Sequence, residues 1–339
     1  MRKLALGFFV VLLICAGIYL RFHHRRGPLE TAYAGSQQVT LWSSTAAVRE
    51  VVATANFGDR LEVLSRSGDQ AQVRTASGTI GWVDEGDLLS DEFWQKTKTL
   101  LTETGTRPVE ARGQTRVVSN LHLEPARDSP RIQRLSKGVP VKMFERRPVA
   151  VPQSASAAPA APPGDSEGVS TAGPARQEDW WLVSAQPSGQ GDVAGWMLGR
   201  FIALDVPAPL PDYATSAGVR IVAWFVLNHV ADEKNGAIPQ YLVLGTHGSE
   251  GQPCDFTLLR AYTWDRLRQR YETAFVESDL CGKLPVQLAP GSTPNGDASF
   301  AFDDWSSGAA QHRNYRMTGT SIRRVREGSA PRPERKHER

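Results

Sequence analysis

Few residues in this chain have the types and spacing that chemistry requires. Cys15 sits in an apolar N-terminal run, which leaves Cys254 and Cys281 in the C-terminal third, with His229, His247 and His312 as the only imidazoles near them in sequence. A thiolate activated by an imidazole is one reading of that set. The context of Cys254, GQPCDFTLL, runs from a turn into a strand rather than from a strand into a helix, and it does not favour a nucleophile. The Cys and His positions lack the close spacing of a metal site. Nothing in the sequence brings Asp303 and Asp304 to Glu250 or Asp255 as an acid–base pair. GTHGSEGQ has three glycines but not the lysine and following helix of a phosphate loop. No enzymatic activity, metal or cofactor is expected. The simplest use of Cys254 and Cys281 is one disulfide across 27 positions, worth about 3 kcal/mol by loop-closure entropy; two buried thiols are the alternative.

The 339 residues imply two or three domains, and an apolar fraction of 40% with 9 Trp is enough to build cores. Leu4 to Leu20 is an apolar or small run of seventeen residues flanked by Arg2, Lys3, Arg21, Arg25 and Arg26. Its length suits an uncleaved signal anchor, a transmembrane helix over 1–26. Ala32–Tyr33–Ala34 as a signal-peptidase site and Cys15 as a lipoprotein cysteine are the competing readings. The net charge of +3 is unevenly placed. Residues 1–26 carry +5 and residues 320–339 carry +4, so the body between them is at −6. A body of that sign is not built to hold nucleic acid.

The chain also repeats itself. Val52 precedes Gly58 by six positions and Leu61 follows it by three; Ile132, Gly138 and Val141 stand in the same relation. After each glycine a strand alternates, with Leu61 and Val63, then Val141 and Met143, on one face. Each copy closes on a Gly-Trp step, Gly81–Trp82 and Gly195–Trp196, where the glycine permits a tight turn and the ring fills a small core. These residues resemble the bacterial SH3-like (SH3b) domain family of small five-stranded β-barrels, whose pattern includes a "vva…l..G..v.v" hairpin and a final G-x-x-G-W-V turn. The first copy, over 37–90, matches along its length, and the second, over 115–205, matches in two halves. The glycine-to-Gly-Trp interval is 23 residues in the first and 57 in the second. Most of the excess is the Ala/Pro-rich stretch 150–175, expected to be a disordered insert at a hairpin.

The expected fold is therefore mainly β, with two small SH3-like barrels, a C-terminal antiparallel β domain and one N-terminal transmembrane helix. Residues 91–114 form a helical linker capped by Ser90, 212–326 a domain of five to seven strands, and 327–339 a basic flexible tail. The resemblance implies a binding or targeting role at the bacterial cell envelope; with the anchor and the lack of an assembled catalytic set, the expected protein is membrane-anchored and non-enzymatic, with its body in the periplasm or outside the cell. Its expected partners are the membrane, through the anchor, and a peptidoglycan peptide or an envelope protein; a scaffold of an envelope complex without a ligand groove is the alternative. The candidate contact residues are Trp42, Trp180 and Trp181. As neighbours on a strand, Trp180 and Trp181 must point to opposite faces, so one of them faces outward, either exposed or packed under the helix or the third domain.

Overall fold

The computed structural model describes residues 28–151, 176–189, 191–294 and 296–325. The N-terminal helix expected over 1–26, most of the insert and the basic tail lie outside them. Among the described residues no helix is long and apolar enough to cross a membrane. The fold class is corrected accordingly: the described chain is antiparallel β with two α-helices and without a membrane-crossing one.

The first unit is a seven-stranded sheet built from β1 (Glu30–Ala34), β2 (Gln38–Trp42), β3 (Val51–Asn56), β4 (Arg60–Ser67), β5 (Gln70–Thr75), β6 (Ile80–Asp84) and β7 (Leu88–Ser90), in the order β3-β2-β6-β5-β4-β1-β7. It begins earlier than residue 37 because β1 pairs with both β4 and β7. Ala32 and Ala34, read above as flanks of a peptidase site, are buried in that strand. Helix α1 (Asp91–Gly105) follows, with the Ser90 hydroxyl accepting from the Phe93 N–H at 3.2 Å.

The second unit comprises β8 (Ala111–Thr115), β9 (Ser119–His122), β10 (Arg131–Leu135), β11 (Pro140–Ala150), β12 (Gln177–Ala185), β13 (Val193–Leu198) and β14 (Ile202–Leu204). Its order, β10-β9-β13-β12-β11-β8-β14, is that of the first sheet with each label advanced by seven. Gly58 and Gly138 hold the same left-handed backbone, φ 82° in both, which a side chain would strain. Core positions correspond one to one: Leu41 with Leu121, Val63 with Met143, Val73 with Val183, Val83 with Met197. All eight are buried. The linker ends sooner than residue 114, since β8 already belongs to the second sheet. The insert leaves and re-enters at a hairpin tip, where Ala150 pairs with Gln177.

The C-terminal unit opens with helix α2 (Leu210–Ser216) and holds eight strands rather than five to seven. One four-stranded sheet runs β15 (Arg220–Asp232), β16 (Gly236–Thr246), β17 (Leu258–Asp265), β18 (Arg270–Glu277). The other runs β19 (Gly282–Ala289), β20 (Ala298–Asp304), β21 (Gln311–Thr318), β22 (Ser321–Val325). Phe256 and Phe302 meet edge to face at 5.0 Å, and Tyr315 stacks on Phe300 at 4.7 Å. One continuous apolar cluster runs from this unit into the core of the second. Cys254 and Cys281 form a disulfide, their Cα atoms 4.8 Å apart.

The junction of the two units carries a titratable group. Glu110, just before β8, is 1% exposed, and its Oε2 accepts from the Val286 N–H of the C-terminal unit at 3.2 Å. Burial pushes its carboxyl from the ordinary 4.5 up to about 7; Asp255 adds to the rise and the Val286 N–H opposes it. A raised carboxyl favours the folded state while it is protonated. The contribution is full below pH 4.5 and is lost as pH climbs through about 7. Urea titrations at pH 5 and pH 8 should therefore show wild type losing up to about 3 kcal/mol relative to Glu110→Gln across that interval. Parallel pH profiles for the two proteins would show that Glu110 does not titrate with folding.

Candidate functional site

Because the two sheets share one topology, their outward faces can be compared position by position. On the first, Trp42 of β2 lies opposite Trp82 of β6, and Gln72 of β5 lies on the other side of Trp82. Both rings are half-buried. The Arg49 guanidinium stands 4.4 Å from the Trp42 ring centroid, and Val51, opposite Trp42, is 56% exposed. Two half-buried indoles with a guanidinium over one of them can take an apolar side chain on the free ring surface and a carboxylate or carbonyl on the cation.

On the second sheet the corresponding residues are His122 for Trp42, Trp196 for Trp82, Leu182 for Gln72 and Trp180 for Gln70. Trp180, Leu182, Trp196 and Leu198 form a buried cluster on which Leu100 of α1 packs. α1 is fixed from its other side by Trp94, which stacks on Tyr33 at 5.1 Å and meets Phe57 edge to face at 5.5 Å. It sits directly over Gly58, where an added Cβ would come within 2.7 Å of the Trp94 ring. The helix covers the second face and not the first because the second offers Trp, Leu and Leu where the first offers Gln70, Gln72 and Asp84. In one unit the face is occupied by an apolar helix edge; in the other, no helix among the described residues covers the same face.

Of the two placements open to the outward ring of Trp180 and Trp181, the structure has the one packed under the helix. The two rings point to opposite faces and both are buried, Trp180 at 2% and Trp181 at 5% exposure. Trp181 joins Val183, Met197 and Ile202 in the second core. Trp180 faces outward under α1, edge to face with His122 at 5.5 Å, and keeps only one side on a cleft of about 240 Å³ with Arg131 and Arg134. Of the two Gly-Trp rings, Trp196 is buried at 5% with the Arg147 guanidinium 4.6 Å from its centroid. Trp82, expected in the core, instead lies on the open face. The backbone between the rings of each unit is tight: a Cβ at Gly81 would meet the Leu41 Cβ at 2.8 Å, and one at Gly195 the His122 carbonyl at 3.0 Å.

The chemistry considered from the sequence is not assembled. Both sulfurs of Cys254 and Cys281 are joined to each other, so neither serves as a thiolate. Asp255 binds Arg146, Asp304 binds Arg313, Glu250 lies 3.5 Å from Arg200, and Asp303 pairs with His312 at 2.8 Å. The four carboxylates thus answer four different side chains. Among the described residues no group of three or more His, Cys, Asp or Glu side chains is placed to hold a metal.

No family model and no curated protein matches the chain. Among solved structures, an NlpC/P60 family protein from Bacillus cereus ATCC 10987 is similar at 13% identity and a TM-score of 0.22, over 59% of this chain. The alignment spans 65% of that structure's own length. NlpC2 from Trichomonas vaginalis is similar at 9% identity and a TM-score of 0.18, over 91% of this chain and 96% of its own. Superpositions this loose transfer neither a fold nor a residue, and the site is read from its own geometry.

Proposed function

We propose that this protein is a non-enzymatic binding and targeting protein of the bacterial cell envelope, whose first unit recognises a peptide, either of peptidoglycan or of a protein partner, on the open face of Trp42 and Trp82. The observation that carries this reading is the comparison of the twin faces. The face that takes a helix edge intramolecularly in the second unit is left uncovered in the first, with its aromatic pair and Arg49 intact. The Cys254–Cys281 disulfide suits an oxidising compartment outside the cytosol. The resemblance of both units to SH3-like domains supports the same ligand class.

The test is co-sedimentation of the purified full chain with cell-wall sacculi, together with titration by soluble stem peptides. Trp42→Ala and Trp82→Ala should each weaken binding by at least about tenfold, as aromatic anchors do. Each should shift stability by no more than about 1 kcal/mol, because the rings are half-exposed. Wild-type protein that neither sediments nor binds stem peptide would sink the wall-binding form. The scaffold reading has its own support in the continuous apolar cluster joining the second and C-terminal units. It predicts capture of an envelope protein that survives both tryptophan substitutions.

A further inference from the structure

Between the second and C-terminal units lies a cleft of about 630 Å³, within the range of small-ligand sites. The edge of Trp181 and Ile202 form one apolar wall, and Ala214 of α2 with Val222 the other. Charges of both signs ring this floor, and their pairing is loose. Glu250 Oε2 stands 3.5 Å from Arg200 Nη1, and Asp179 Oδ2 stands 3.8 Å from Arg220 Nη2. Both separations are longer than a close hydrogen bond, so neither carboxylate oxygen is tightly held by its arginine. Arg116 is exposed at the rim. Glu250 Oε1 is buried and has no hydrogen-bond partner, a costly state for a carboxylate oxygen unless a donor arrives. The cleft therefore presents the partly exposed Glu250 carboxylate and guanidinium groups at Arg220 and Arg116, with an apolar floor between.

We propose that this cleft binds a zwitterionic ligand with an apolar body, a short free peptide. Its ammonium pairs with the Glu250 carboxylate, its carboxylate is held by Arg220 and Arg116, and its side chain lies against Trp181. A purely apolar ligand would cover the Glu250 carboxylate without supplying a donor, and an anion alone would be repelled by it. This site shares no residue with the Trp42 face, so its failure and the failure of the envelope-binding reading are separate results.

The test is calorimetric titration of the full chain with the tripeptide Ala-Leu-Ala as the free zwitterion, the N-acetyl form and the C-terminal amide. The free tripeptide should bind at a single site, and each blocked form should bind at least about tenfold more weakly. Glu250→Gln should weaken the free tripeptide by about tenfold without changing the N-acetyl form further; Arg220→Gln should do the same relative to the amide. Both side chains are partly exposed, 29% for Glu250 and 47% for Arg220, so the variants keep the fold. Binding should persist in Trp42→Ala. Equal affinity for all three forms, an unaltered Glu250→Gln, or no saturation up to about 5 mM, where even a weak site registers, would each overturn the assignment.

Discussion

Replacing Arg146 with alanine is expected to cost about 3–5 kcal/mol of stability, the range measured when one partner of a buried ion pair is removed. Arg146 projects from β11 with a side chain 2% exposed. Its Nη2 donates to Asp179 Oδ1 at 2.5 Å and to the Gln252 carbonyl at 2.7 Å. Its Nη1 donates to Asp255 Oδ1 at 2.9 Å and to the Cys254 carbonyl at 3.2 Å. Without the guanidinium, Asp179 keeps the Gly251 N–H and Asp255 keeps the Leu284 N–H, both at 2.9 Å. Two buried carboxylates are then left with no nearby buried cation. Arg146→Lys should recover little of the loss, since one ammonium cannot fork to four acceptors in one plane. Arg146→Met combined with Asp179→Asn and Asp255→Asn should be far milder than the single alanine change, because it removes the charges together. Urea denaturation of the four proteins measures this. A loss below about 1 kcal/mol for Arg146→Ala would mean the pair behaves as an exposed one. Since the acceptors Gln252, Cys254 and Asp255 belong to the C-terminal unit, the variant should also expose that junction to proteolysis before the rest of the chain.

Trp181→Ala is expected to cost about 3–5 kcal/mol, as for large aromatic truncations in a core. The substitution would make the position identical to its counterpart Ala71, which is 0% exposed and fully packed in the first unit. The two units reach closure differently at that point. In the second, Trp181 is enclosed by Val183, Met197 and Ile202, and a Cβ at Gly199 would lie 3.0 Å from its ring. Deleting the indole leaves a cavity that these neighbours cannot collapse to fill. Thermal denaturation should therefore separate Trp181→Ala, strongly destabilised, from Trp42→Ala, nearly unchanged in stability and reduced in binding. Similar melting temperatures for the two variants would contradict the placement of Trp181 in the core. The reverse swap, Ala71→Trp, should also destabilise by overpacking a core already filled without a ring.

How far the sequence reached is clearest at particular residues. Gly58 and Gly138 stand at matching intervals from matching apolar residues, and both adopt the same left-handed turn. The interval of 57 residues in the second copy corresponds to a hairpin extended at Ala150 and Gln177. The strands β1 and β8 were not legible. In β1 only Ala32 and Ala34 point into the core, and in β8 the inward positions are Ala111, Gly113 and Thr115. Small inward residues give too faint an apolar alternation to mark a strand. Trp82 and Trp196 looked equivalent because they follow equivalent glycines. The difference between them lies in residues across the sheet: Gln70 and Gln72 against Trp180 and Leu182.

Arg146 was illegible for a related reason. In ERRP it reads as one of several surface charges, and its partners lie 33 and 109 positions away. The cleft lined by Trp181, Arg220 and Glu250 is likewise assembled from three separate segments. By itself, then, the sequence determined what is local and periodic: the strands with strong alternation, the turn glycines, the helix begun at Ser90, and the cysteine pair available for a disulfide. Tertiary structure alone decided which face α1 covers, which tryptophan stays open and which charges are buried together. The reason is physical: alternation says that a residue points to one side of a sheet, whereas burial depends on what packs against that side, and the packing residues come from distant parts of the chain.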